Sequence, residues 1–162
     1  MVQEFQIPLT SSMAKYPRNN SRKYTKVVIE KEFLIKAFPF LGVQIKGLRL
    51  IARGWIKPSD QSGRYRIEVE YEPWNAPSVH VLEPQIDADI NAHMYPDGGL
   101  CLYDWHEQPW QDRWHLHETI IPWTAEWLVF YELLLITGTW YGISSMHGIK
   151  KSSEPRISDR QD

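Results

Sequence analysis

The segment Tyr65–Tyr71 (YRIEVEY) constrains the fold more than any other stretch, because apolar and charged side chains alternate along it. Successive side chains of a strand point to opposite faces, so the alternation predicts an antiparallel strand with one face on a core and the other in water. Residues 48–56 and 79–82 are further apolar segments, separated from it by turn regions at 58–63 and 73–77. We therefore predict a three-stranded antiparallel meander.

A helix is predicted downstream, beginning at Pro122, because proline suits a first helical turn, where its missing N–H would be unpaired in any case. Apolar side chains then follow at helical spacing, namely Trp123, Trp127, Phe130, Tyr131 and Leu134. Gly138 is placed to end this helix as a C-terminal cap. Residues 27–35 fit either a strand or a helix. Together these segments predict an α+β domain, an antiparallel β-meander backed by helices.

The chain of 162 residues is long enough for one domain with its own core. We expect this domain to span residues 1–147 and the polar residues 148–162 to form a flexible tail. The net charge of −2 gives no overall argument for nucleic acid or an anionic membrane as a partner. No apolar run approaches ~18 residues, and the N-terminus lacks the apolar middle of a secretory signal. These features predict a cytoplasmic protein without a membrane-spanning helix.

The single cysteine, Cys101, follows a Tyr-Pro-Asp-Gly-Gly turn signal within residues 93–104 (HMYPDGGLCLYD). Adjacent glycines let the backbone take positive φ or pass close to another group, so this pattern predicts a tight turn that presents a thiol on a short extended segment. We expect Cys101 to be solvent-accessible and to be the nucleophile, although a lone cysteine is usually a small buried hydrophobe. His93, upstream across the turn, could favour the thiolate, donate to an oxyanion or hold the loop through a backbone bond, and the sequence leaves these roles open.

The residues around this cysteine also allow two other kinds of site, a zinc site and a hydrolase site. Four histidines lie in the same stretch of chain, namely His93, His106, His115 and His117. A zinc site is not expected, because there is no second cysteine and the histidines lack the usual paired ligand spacing. A cysteine hydrolase could be assembled from Cys101, a histidine and Asp104, but many such enzymes place the cysteine at a helix start, whereas residues 102–104 look extended.

The pattern His-x-Tyr-x-Asp-Gly-x-Leu-Cys-Leu-Tyr begins at His93. Further characteristic positions follow it: Trp110, Trp123, Trp127, Tyr131-Glu132 and Thr137-Gly138-Thr139-Trp140. Together these residues resemble the ubiquitin-conjugating enzymes, and more specifically the bacterial ubiquitin-conjugating-like proteins encoded in operons for cyclic-oligonucleotide-based anti-phage signalling (CBASS). The resemblance covers residues 79–140 well, the meander weakly and the N-terminal part of the chain hardly at all.

This resemblance implies a meander of four strands and a transferase function without a cofactor. Cys101 would take the C-terminus of a partner protein, a cyclic-nucleotide synthase, as a thioester and pass it to an amine, with His93 as a second catalytic residue. Another protein, or the synthase itself, would activate the carboxylate. Met94-Tyr95 stands where eukaryotic relatives have Pro-Asn, so the usual oxyanion-stabilising Asn is missing. The oxyanion and accessory candidates are Asn91, Tyr95, Asp97 and Asp104. A catalytically inactive binding module of the same fold, which scaffolds the synthase, is the alternative.

Overall fold

The computed structural model describes residues 18–86 and 93–142, and in this part of the chain two helices accompany one four-stranded sheet. The elements are α1 Arg18–Ala37, β1 Gly42–Lys46, β2 Arg49–Ile56, β3 Tyr65–Tyr71, β4 Ser78–Glu83 and α2 Ile120–Thr137. The strands lie side by side in chain order, and every neighbouring pair is antiparallel. The predicted α+β meander is thereby confirmed. The predicted tail at 148–162 lies outside the described residues.

The prediction of three strands was wrong by one, because β1 was not recognised. Gly47, with φ of 64°, lies in the tight turn that pairs Lys46 with Arg49 across β1 and β2. None of the residues of β1 is fully buried. An edge strand of this kind lacks the strong apolar alternation that identifies β3. The four strands agree with the number that the family resemblance implies.

Residues 27–35, which the sequence left between strand and helix, lie in α1. The helix buries Val27, Glu30 and Leu34, which follow one another at helical spacing. Ile29 and Phe33 are 40% and 37% exposed, so apolar residues lie on both sides of the helix and obscure its period. Val27 and Leu34 join one core cluster with the inward side chains of β3 and the buried side chains of α2.

The buried carboxylate of Glu30 connects α1 to the segment that follows the cysteine. Lys26 Nζ lies 2.8 Å from Glu30 Oε1, and His115 Nδ1 lies 2.8 Å from the same oxygen. The backbone N–H of Leu116 donates to Glu30 Oε2 at 2.9 Å. Because Glu30 is fully buried, these partners supply the interactions that water would otherwise provide.

We expect Glu30→Ala to lower the free energy of unfolding by about 3–5 kcal/mol, because it leaves charged and polar partners without their buried acceptor. Urea unfolding with an unchanged slope measures this loss. Glu32→Ala, at an exposed position of the same helix, is the matched control and should change stability by less than about 0.5 kcal/mol. Equal effects of the two substitutions would contradict the role assigned to Glu30.

Helix α2 begins at Ile120, two positions before the predicted start at Pro122, and ends as predicted at Gly138. Gly138 has φ of 72° and donates its N–H to the carbonyl of Leu134 at 2.8 Å. The indole Nε1 of Trp127 donates to the carbonyl of His93 at 3.2 Å. The helix therefore packs directly on the segment that carries the cysteine.

Within the described residues, α2 is the one helix that is long and apolar enough to cross a membrane, with 18 residues and a mean hydropathy of 1.4. The expectation that no apolar run approaches this length was therefore wrong. Its contacts nevertheless identify it as a core helix. The hydroxyls of Ser62 and Tyr65 donate to Glu132 at 2.7 and 2.9 Å, and the N–H of Gly63 donates to the same carboxylate at 3.1 Å. Glu132 thus attaches α2 to the turn between β2 and β3.

Candidate functional site

The predicted tight turn is present immediately before the cysteine. The N–H of Gly98 donates to the carbonyl of Tyr95 at 2.9 Å, and Gly98 has φ of 85°, which suits glycine. Asp97 Oδ1 accepts a hydrogen bond from the N–H of Gly99 at 2.9 Å. The carboxylate of Asp97 therefore stabilises the turn, as Asp commonly does.

The turn joins the two arms of a short hairpin, in which Met94 and Leu100 form an antiparallel bridge. One position further from the turn, the N–H of Cys101 donates to the carbonyl of His93 at 3.0 Å. The N–H of Leu100 donates to the carbonyl of Val79 at 2.8 Å, which fastens the hairpin to β4. Side chains alternate along each arm, so His93 and Cys101 lie opposite each other, on the face away from Met94 and Leu100.

The carbonyl of His93 accepts the N–H of Cys101, but this main-chain bond does not depend on the imidazole, so the roles considered for the His93 side chain stay predictions. Its imidazole is 5% exposed and stacks on Trp140, with ring centroids 4.3 Å apart and planes at 16°. Burial lowers the pKa of His93 from its ordinary value. This shift favours the neutral imidazole at neutral pH.

Cys101 is 9% exposed, so the expectation that it is openly solvent-accessible was wrong. Its thiol donates to the carbonyl of Tyr103 at 3.7 Å. The cysteine forms part of a narrow cleft of about 40 Å³, here called the thiol cleft. The other lining residues are Leu102, Tyr103, Asp104, Trp123, Glu126, Trp127, Phe130 and Trp140. Aromatic side chains of α2 cover the hairpin here, and this packing across the fold is not visible in the local sequence.

The hydroxyl of Tyr95 forms a side-chain hydrogen bond with Cys101. Burial, and after it this hydrogen bond, raises the pKa of Tyr95 above its ordinary value. The phenol therefore stays protonated at physiological pH and keeps its proton available for donation. Because the thiol itself donates to the carbonyl of Tyr103, the Tyr95 hydroxyl is the group that donates to the sulfur. Tyr95 thus places a neutral O–H donor beside Cys101.

The other candidate accessory residues, Asp97, Asp104 and Asn91, do not lie together at the thiol. Asp97, with a side chain that is 69% exposed, has Oδ2 3.8 Å from His80 Nε2 and belongs to the turn. Asp104 lines the thiol cleft, and its Oδ1 accepts the N–H groups of His106 and Glu107 at 2.9 and 3.4 Å. Asn91 lies outside the described residues.

Glu126 was missed in the sequence, although it lines the thiol cleft from α2. Trp123, Glu126, Trp127 and Phe130 recur at helical spacings of three and four residues, so they share one face of the helix. This spacing could have identified Glu126 from the sequence, because it places a single charged residue on an otherwise aromatic face of the helix.

A second concave surface, here called the apolar groove, lies beside the same segment and measures about 380 Å³. Its lining residues are Ala76, Pro77, Tyr95, Leu100, Leu102, Tyr103, Trp105, Pro109 and Trp110. Three of these border the cysteine environment, because Leu102 and Tyr103 also line the thiol cleft and Tyr95 bonds to Cys101. Cys101 thus lines the thiol cleft, while its chain neighbours Leu100 and Leu102 line the apolar groove.

The histidines considered as metal ligands have other contacts. His115 bonds to Glu30, and His117 Nε2 lies 3.6 Å from Glu118 Oε1. Over residues 18–86 and 93–142, no group of three or more His, Cys, Asp or Glu side chains could hold a metal ion.

A four-stranded antiparallel meander, followed by a cysteine on a hairpin and a helix packed over it, defines a ubiquitin-conjugating-enzyme-like protein. The family model for Type II CBASS E2 proteins matches residues 30–148, and the chain belongs to this family. Membership gives the protein an E2-like role in CBASS anti-phage defence. No curated protein matches the chain significantly.

Proposed function

We propose that the protein is a cysteine-dependent acyl-carrier transferase. Cys101 accepts the activated C-terminal carboxylate of a partner protein, a cyclic-nucleotide synthase, as a thioester. An amine then receives this acyl group. The observation that supports the proposal best is the position of the lone thiol, which lines the thiol cleft and carries a hydrogen bond from Tyr95 in a member of the E2 family.

The chemistry begins when the Cys101 sulfur, as the thiolate, attacks the activated carbonyl carbon. The C–S bond forms and the activating group leaves. Because a free carboxylate does not form a thioester unaided, a second protein or the synthase itself supplies the activation. The Tyr95 hydroxyl, already hydrogen-bonded to the sulfur, stabilises negative charge there.

Negative charge also develops on the carbonyl oxygen in both acyl-transfer steps, and a positioned donor stabilises it. Tyr95 takes the role that Asn has in eukaryotic relatives, because its hydroxyl is a hydrogen-bonding group beside the Cys101 sulfur. The neutral His93 serves this site by holding the arm that carries Cys101 through its carbonyl.

The C-terminal residues of the partner approach along the apolar groove. Its volume of about 380 Å³ admits several residues of an extended peptide, whereas the thiol cleft, at about 40 Å³, does not. Tyr95 lines this groove and also bonds to Cys101, so a chain that lies in the groove comes next to the residues around the thiol.

The proposal is tested by identifying the covalent bond between Cys101 and the C-terminus of the synthase. After co-expression with the synthase of its own operon and the activating protein, mass spectrometry should find Cys101 joined to the synthase C-terminus through an acyl group. Complexes that contain both proteins but no acyl link at Cys101 would contradict it.

A binding module without transferase activity is the second candidate, because Cys101 is only 9% exposed and its thiol is already hydrogen-bonded. Such a module would bind the synthase noncovalently. Iodoacetamide would then label Cys101 only in denaturant, whereas the transferase proposal requires labelling of the native protein.

A further inference from the structure

Trp74 is an exposed aromatic residue with an unfavourable backbone conformation. It lies in the turn between β3 and β4 and is 44% exposed. Its φ is 72°, and within residues 18–86 and 93–142 it is the one residue other than glycine that has a positive φ. A bulky side chain rarely takes this conformation, because it costs free energy. The turn therefore presents an indole at the surface at a cost to folding, and strain of this kind is concentrated at functional sites.

The turn that carries Trp74 also forms part of the apolar groove. Ala76 and Pro77, two and three positions after Trp74, line the groove. Trp105 lines it from the segment that follows the cysteine, and it is 44% exposed as well. Two segments that line the groove thus each carry an exposed tryptophan. We call Trp74 and Trp105 the indole rim.

The indole rim has the composition of a protein–protein interface. Tryptophan is among the residues that most often carry the free energy of binding, because its large rigid ring offers much contact area at a small cost in conformational entropy. Within the described part of the chain, no charged side chain lines the groove. A partner that docks there does not have to remove water from a charge on this surface. The rim and the groove therefore suit an apolar protein surface.

The carried partner protein is the occupant that the geometry favours. The thiol cleft and the apolar groove, at about 40 and 380 Å³, are too small for the folded part of a protein, which must lie outside both. Tyr95 lines the groove and bonds to Cys101, so the groove is the opening next to the thiol that admits a peptide. A chain that occupies the groove contacts Trp105 and the turn of Trp74. The folded part to which that chain belongs then lies over the indole rim.

We infer that the indole rim binds the folded part of the partner protein noncovalently, before acyl transfer and without need of the covalent bond. This inference rests on the proposed transferase function and names a docking surface for its partner. Docking at the rim raises the local concentration of the partner's C-terminal residues at the groove.

The experiment measures binding of the synthase without its C-terminal residues to the Cys101→Ala protein by titration calorimetry. Neither a thioester nor the tail contributes to this affinity, and the truncated synthase should still bind. Adding Trp74→Ala or Trp105→Ala should weaken binding about 30-fold, the scale of a tryptophan at the centre of an interface. Trp55→Ala is the matched control, because Trp55 is 39% exposed and does not line the groove, and it should leave the affinity unchanged.

Trp74→Gly separates the indole from the strained backbone. Glycine takes a positive φ without steric cost, so this variant retains the turn. It should lose as much affinity as Trp74→Ala, because both variants lack the indole. An affinity of Trp74→Gly equal to that of the unsubstituted protein would overturn the inference, because it would show that the conformation of the turn determines binding.

Thioester formation with full-length activated synthase tests the proposed function separately. Trp74→Ala should reach the maximal rate of wild type but require more synthase for half of it. Absence of any thioester in wild type would overturn the proposed function. A thioester that forms in wild type, with no binding of the truncated synthase or with equal affinity in Trp74→Ala, would overturn the inference alone. Self-association that Trp74→Ala abolishes while synthase binding stays unchanged would assign the rim to a second copy of this chain, and would likewise overturn it.

Discussion

Replacing Cys101 by serine should convert a thiol-sensitive adduct into a thiol-resistant one. In the presence of the synthase and the activating protein, wild type should show a higher-mass band that disappears on addition of a thiol reductant, because small thiols cleave thioesters. Cys101→Ser should show a band that survives the reductant, because an oxyester resists thiolysis. Cys101→Ala should show no adduct at all.

The serine variant distinguishes the candidate functions better than alanine does. A disulfide between Cys101 and the partner would also be lost with reductant, but it cannot form with serine. A binding module without transferase activity would retain its partner noncovalently in all three proteins. Gel electrophoresis under denaturing conditions, with and without reductant, checks all of these outcomes. Absence of a covalent band in both wild type and Cys101→Ser would contradict the transferase proposal.

The fold was predictable from the sequence where the local pattern of apolar residues matches the burial of those residues in the structure. β3 alternates along its whole length, and Tyr65, Ile67, Val69 and Tyr71 are all buried. The positive φ of Gly98 and Gly138 likewise appears where turn and cap signals predict it. In each case a short segment determines its own structure.

The parts that were missed depend on contacts between distant segments. In α1 a charged residue, Glu30, occupies a core position because His115 and Leu116 supply its partners from far along the chain. A hydrophobic pattern cannot show such a position. β1 depends on its pairing with β2, and no residue in it is fully buried.

The candidate site also has features that were predictable from the local sequence and features that were not. The turn, the hairpin and the opposition of His93 and Cys101 follow from residues 93–101, so the motif indicates them. The burial of Cys101 does not follow, because Trp123 and Trp127 line its cleft from a helix that begins later in the chain. The hydrogen bond between Tyr95 and Cys101 depends on how the two hairpin arms are arranged. From the sequence alone, Tyr95 was one of several candidates for an accessory residue.

Tyr95→Phe should slow both formation and discharge of the Cys101 thioester by about 10²-fold, the scale of one lost oxyanion donor. The substitution removes the O–H group that bonds to Cys101 and keeps the ring, so the fold should retain its melting temperature. Tyr141→Phe is the matched control, because Tyr141 is 58% exposed and does not line the thiol cleft. Single-turnover kinetics with activated partner measures both steps.

His93→Ala gives the decisive comparison with Tyr95→Phe. If the imidazole itself takes part in the transfer, as the motif predicts, this variant should also be slower by about 10²-fold, whereas a role of the carbonyl alone leaves the rates unchanged. Alanine retains the carbonyl that accepts the N–H of Cys101, but it removes the ring that stacks on Trp140. The melting temperature of His93→Ala should therefore fall, whereas that of Tyr95→Phe should not. Rates for Tyr95→Phe equal to those of wild type would show that this phenol does not stabilise the oxyanion, and the role would then pass to His93 or to a backbone N–H.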